Sequence, residues 1–157
     1  MHHTSVVNSE HFSTDHCSTH LAKIINFYQN LRPVDVIEID VLYHAQAYFK
    51  DPFNAVTGTP AIKKIFEHMF QTTKSPRFVF IDALEQGEQA FVTWQFLFEL
   101  YGKDYSVNGS SHLKFNSNEQ VFYHRDYWDA AEELLQKIPV IGLPMRWLRK
   151  RFEVNSQ

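Results

Sequence analysis

The period of the hydrophobic pattern changes once along this chain, near Pro76, and that change narrows the folds open to it. Before Pro76 apolar residues recur at helical spacing. Leu21, Ile24, Ile25, Tyr28 and Leu31 predict a helix over 15–31 that Pro33 ends. Asp35 and Glu38 have capping-box spacing for a second helix reaching Tyr43, and 47–51 reads as a short strand closed by Pro52. Thr59 is the expected cap of a third helix, with Pro60 in its first turn and Ile62, Ile65, Phe66, Met69 and Phe70 on its buried face. Beyond Pro76 the residues alternate and are rich in β-branched and aromatic types. Segments 78–84 and 90–101 form one hairpin around 85–88, and 105–115 and 120–128 form a second around 116–119. Asn108-Gly109 inside a strand suggests a bulge. Asp129 and Glu132 open a further helix that Pro139 stops, and a last helix covers 145–152.

Helices first and strands second predict an α+β fold: an antiparallel sheet packed against three N-terminal helices, with extra C-terminal helices. A curved sheet closed on one side by helices makes a cone with an apolar interior. The expected organisation is a loose N-terminus at 1–12, one domain at 13–138 and a basic helical extension at 139–157.

Composition removes several functional classes. Fifteen Lys+Arg against 18 Asp+Glu give a formal net charge of −3, which argues against nucleic-acid binding through bulk electrostatics. The longest uncharged apolar stretches, such as 90–98, are far short of the ~20 residues that span a bilayer. The start MHHTSVVNSEHF lacks the apolar core of a secretory signal, so a cytoplasmic location is the expectation. One cysteine, Cys17, excludes an internal disulfide and a multi-cysteine zinc site. The excess is in aromatics: 14 Phe, 7 Tyr and 3 Trp. They serve either a heavy core with a dimer interface or an apolar ligand pocket.

Polar candidates are few. In the last long strand Phe122, His124, Asp126 and Trp128 alternate onto one side. His124 with Asp126 suits acid–base work near neutrality, or the two are hydrogen bonds tying sheet to helices. His124-Arg125-Asp126 also spells the start of a kinase catalytic loop, but Ala131 stands where its Asn belongs and no Gly-rich phosphate loop exists. His16 and His20 share a helical face without a third ligand, so no metal site is expected and no cofactor is implied. On the longest strand Val92, Trp94, Phe96, Phe98 and Leu100 share one face. The mixed opposite face, with Phe91, Thr93, Gln95, Leu97, Glu99 and Tyr101, suits a homodimer contact. The segment 144–152 carries Arg146, Arg149, Lys150 and Arg151 beside Met145, Leu148 and Phe152. It either packs on the protein or makes a weak membrane-surface contact.

Tyr43, the strand AYFKDPF (47–53), the helix GTPAIKKIFEHMF (58–70) and the meander ending in HRDYWD (124–129) resemble the nuclear transport factor 2-like superfamily, and within it the SnoaL-like and ketosteroid-isomerase-like proteins. The tail 129–152 resembles a bacterial subfamily of SnoaL-like proteins. The resemblance implies a pocket for a small hydrophobic molecule or lipid, no nucleic-acid partner, and a homodimer. It makes Asp51 a candidate general base, against the plainer reading of Asp51 as a cap on the turn after Pro52. Tyr28, Tyr43, His124 and Asp126 join it as candidate catalytic residues. Phe49, Phe66, Trp94, Ser111, Leu113 and Trp128 are the candidate ligand wall. The isomerases' polar network is only partly present. Its first-helix tyrosine falls near Phe27 and Tyr28, its second acid near Ser111, and its third-helix tyrosine near Phe66. Steroid isomerisation itself is therefore not expected. The activity implied is a cofactor-free isomerase, lyase or hydrolase reaction, and the alternative is a non-catalytic binder.

Overall fold

The computed structural model describes residues 11–130. Most of the expected helix at 129–139, the helix at 145–152, the basic tail, and residues 1–10 of the N-terminus expected to be loose over 1–12 lie outside the described residues.

Helix α1 (Thr19–Gln29) is shorter than its periodic pattern because Ser18 caps it, its hydroxyl accepting from the Leu21 N–H at 3.3 Å. Leu21, Ile24, Ile25 and Tyr28 are buried as the spacing predicts. The second helical segment is a 3-10 helix (Pro33–Glu38) running into one turn of α-helix, α2 (Ile39–Leu42). Asp35 does cap, but from inside the first turn. Its carboxylate accepts from the Arg32 N–H at 3.0 Å and from the Arg32 guanidinium at 2.8 Å. Helix α3 (Thr59–Thr72) starts at the residue expected to cap it, one residue earlier than predicted. Gly58 takes the cap position at φ +94°, which only glycine adopts without strain, and Thr59 becomes the first helical residue.

Six strands form one sheet: β1 (Tyr43–Lys50), β2 (Ala55–Thr57), β3 (Lys74–Gln86), β4 (Gln89–Leu100), β5 (Lys103–Phe115) and β6 (Val121–Tyr127). Their order is β2-β1-β6-β5-β4-β3, so the four-strand meander is as expected, while β2 is an addition to the expected strands. The sheet is not antiparallel throughout. Strand β1 lies parallel to β6, with Phe49 opposite His124 and Lys50 opposite Arg125. Chain between β1 and β6 includes β2, α3 and strands β3 to β5, which is length enough for a parallel return.

Two strand details differ from the periodicity. Asn108-Gly109 is not a bulge: β4 and β5 pair without interruption from Gln89↔Lys114 to Leu100↔Lys103. Gly109 is there because a Cβ would stand 2.3 Å from the Trp94 ring. Register irregularities fall elsewhere, in the β1–β6, β3–β4 and β5–β6 pairings. Register slips between Lys114↔Tyr123 and Phe115↔Val121, so Val121 is buried and Phe122 faces outward, against the simple alternation. The core lies between sheet and helices, with Tyr43, Phe49, Leu113 and Phe115 from the sheet and Leu21, Ile25 and Ile62 from the helices fully buried. No described helix is long and apolar enough to cross a membrane.

Candidate functional site

Strands β1 and β6 bring the two central carboxylates together. Their pairing runs Phe49↔His124 and Lys50↔Arg125, which carries on to Asp51 beside Asp126. Both line one pocket of about 100 Å³ free volume. Phe49, Phe53 and Trp128 flank the carboxylates. Ile65, Phe66 and Met69 of α3 form a second wall, and Phe78, Trp94, Phe96 and Phe98 of the β3–β4 hairpin a third. Asp51, Asp126 and Trp128 also border an open cleft with Lys50 and Arg125, so the carboxylates stand where pocket meets surface.

Asp51 is tied into the turn that follows it. Its Oδ1 accepts from the Phe53 and Asn54 N–H groups at 2.7 Å each, and the Asn54 side-chain amide donates to Oδ2 at 3.0 Å. The capping role and the pocket position are thus held by one residue. Burial pushes the Asp51 carboxyl above the ordinary carboxylate range. The bonds from Asn54 and Phe53 pull it back, and the charge of Asp126 adds a smaller upward push.

Asp126 is held from behind by two hydrogen-bonded arms. In one, the Tyr28 and Tyr43 hydroxyls are 2.6 Å apart, Tyr43 Oη lies 2.7 Å from His124 Nδ1, and His124 Nε2 lies 2.7 Å from Asp126 Oδ1. In the other, Trp94 Nε1–H donates to Ser111 Oγ at 2.8 Å and Ser111 donates to the same Oδ1 at 2.5 Å. With Asp126 Oδ1 accepting from His124 Nε2–H, Nδ1 is left to accept from the Tyr43 hydroxyl, which accepts in turn from Tyr28. Every donor then points toward Asp126. Burial raises both tyrosine hydroxyls well above their ordinary pKa, so both stay protonated donors. No hydrogen bond reaches Asp126 Oδ2 from a described residue.

The eleven residues singled out from sequence therefore fall in two tiers. Asp51, Asp126, Phe49, Phe66, Trp94 and Trp128 line the pocket. Tyr28, Tyr43, His124 and Ser111 are not on its wall but form the network behind it, and Leu113 is core. Tyr28, rather than Phe27, supplies the first-helix hydroxyl. Sequence reasoning missed Asn54, His68, Met69, Phe78 and Phe96 on the wall. Met69 had a usable signal, four residues after Ile65 on α3. Phe78 had another, since it pairs with Phe96 across the hairpin. Among the described residues no group of three or more His, Cys, Asp and Glu side chains is arranged to hold a metal.

Comparison with known proteins agrees with this architecture. No curated protein matches the chain significantly. Solved structures with the same fold include a SnoaL-like polyketide cyclase candidate from Shewanella putrefaciens (TM-score 0.63, 18% identity, covering 76% of this chain and 98% of that one). An epoxide hydrolase of M. tuberculosis is also similar (0.61, 11%, 74% and 84%), as is a steroid delta-isomerase of Pseudomonas aeruginosa (0.55, 16%, 74% and 81%). At these identities the likeness concerns fold alone, and one fold hosts all three chemistries. The SnoaL-like domain profile matches residues 24–124, from inside α1 to the histidine of the network, and on that match this chain belongs to the SnoaL-like family.

Proposed function

We propose that the chain is a cofactor-free isomerase, lyase or hydrolase acting on a small hydrophobic molecule held between the sheet and α3. The observation that carries this reading is the position of Asp126. One of its oxygens is committed to His124 and Ser111, the other is left without a described partner, and the residue borders an apolar pocket beside a second carboxyl. In this reading Asp126 is the general base and Asp51 the second acid. Burial raises the Asp51 carboxyl above the ordinary carboxylate range, which suits it to handing a proton to a guest. The Tyr28–Tyr43–His124 arm holds Asp126 in place and offsets the charge it carries. The pocket has a free volume of about 100 Å³ and meets the surface cleft at Asp51, Asp126 and Trp128, which suits a small guest or the end of a larger one.

Proton exchange tests the assignment without knowledge of the natural substrate. The protein should catalyse deuterium uptake at the α-carbon of a small cyclic ketone in D₂O, followed by NMR, and Asp126→Asn should abolish it. Exchange unaffected by that substitution removes Asp126 as base. One observation favours a second reading, a non-catalytic binder: both oxygens of Asp51 are already paired within its own turn. Binding of small apolar molecules with no exchange, and with affinity unchanged in Asp51→Asn, would select it. The reading also has two copies meeting through the outer face of the sheet. There Phe91 stacks on His112 at 4.1 Å and Tyr48 on Tyr123 at 5.7 Å, and Phe91 and Tyr127 remain about half exposed.

A further inference from the structure

We infer that the guest of this pocket is a small organic cation, a protonated or quaternary amine, rather than a neutral or anionic molecule. The inference rests on the pocket reading above and adds the charge of the ligand to it. Two carboxyl groups line the pocket, and among the described residues its wall contains neither lysine nor arginine. Lys50 and Arg125 belong to the outer cleft. Arg125 stacks 4.6 Å over the Tyr127 ring there. An anionic guest would meet carboxyl groups and no described lysine or arginine, in surroundings too apolar to screen the repulsion.

The rest of the wall suits a cation as well. Phe49, Phe66, Phe78, Trp94, Phe96 and Trp128 all border the same space. Several meet edge to face: Phe49 with Phe66 at 5.9 Å, and Phe78 with Trp94 at 5.7 Å. Rings set at steep angles around a small volume present several electron-rich faces to one centre, and a methylated ammonium gains from each face while keeping an apolar skin. Asp126 Oδ2 provides the matching negative charge, and a cation beside it also relieves its repulsion with Asp51. A neutral guest of the same shape would fill the space and leave that repulsion in place.

The test compares three probes of similar bulk on the full chain at about pH 8, above the ordinary carboxylate and imidazole ranges. Tetramethylammonium, tert-butanol and pivalate are each titrated while the indole N–H signals of Trp94 and Trp128 are followed by NMR. Tetramethylammonium is expected to shift both signals and to bind at least ten-fold more tightly than tert-butanol, with pivalate weaker still. Asp126→Asn is expected to erase the preference for the ammonium and leave tert-butanol unaffected. If tert-butanol or pivalate binds as tightly as tetramethylammonium to the unaltered protein, the cation is overturned and the pocket stands. If none of the three moves either indole signal, the pocket reading falls with it.

Discussion

The Tyr43 hydroxyl lies between Tyr28 Oη and His124 Nδ1, in a place water does not reach. Tyr43→Phe deletes the link and strands both neighbours, so it should cost about 1–3 kcal/mol in urea unfolding. Tyr28→Phe removes only the end of the arm and should cost less. Equal stability of Tyr43→Phe and the parent chain would mean the arm is not closed as described. Asp51 makes a prediction of a different kind. Its folded pKa is raised, so the unfolded chain gives up this proton first, near pH 3.9. As pH rises from there the unfolded state holds fewer protons than the folded one, and stability falls until Asp51 has ionised in the fold. Asp51→Asn lacks this loss. The stability of the variant relative to the parent should therefore climb with pH above about 4 and then level off, read from denaturation midpoints across a pH series. A gap that stays constant, or that moves the other way, contradicts the raised pKa.

Strands β4 and β5 hold the next constraint. Gly109 pairs opposite Trp94, and the ring lies across the glycine where any Cβ would collide with it. That close approach lets Trp94 Nε1 reach Ser111, two residues along the same strand, and so steadies Asp126 on the next strand. Gly109→Ala should push the indole aside and lower stability by about 1–3 kcal/mol or more, as overpacking does. It should also shift the Trp94 indole N–H signal, because its hydrogen bond is lost. Unchanged melting would show that the ring has room to move. The helices carry a milder lesson. Apolar spacing placed α1 and α3 correctly, but their first residues were set by Ser18 and Gly58, whose capping depends on the path of the chain entering each helix.

For the whole molecule the outer sheet face is the open question of assembly. If two copies meet there, sedimentation should give a dimer mass, and Phe91→Lys should shift it toward monomer without altering the fold measured by circular dichroism. A monomer mass at every concentration tested removes the proposal.

The order of elements was legible because it is written in local spacing. Period and capping residues within ten or so neighbours are enough to separate helices from the meander, and the inward face of β4 follows from strict alternation at Val92, Trp94 and Phe98. Asp51, His124 and Asp126 could be picked out as chemistry, since few ionisable groups interrupt the apolar segments. Their partnership could not be read in the same way. It depends on β1 lying parallel to β6, on a one-residue slip that turns Val121 inward, and on a glycine that lets Trp94 reach Ser111. Those are register and packing choices between segments tens of residues apart. A one-residue shift in either pairing would turn the same side chains outward, and no local pattern records which register packs without collisions. The chain's own pattern therefore decides which elements exist, and three-dimensional packing decides which carboxylate faces the pocket with a free oxygen.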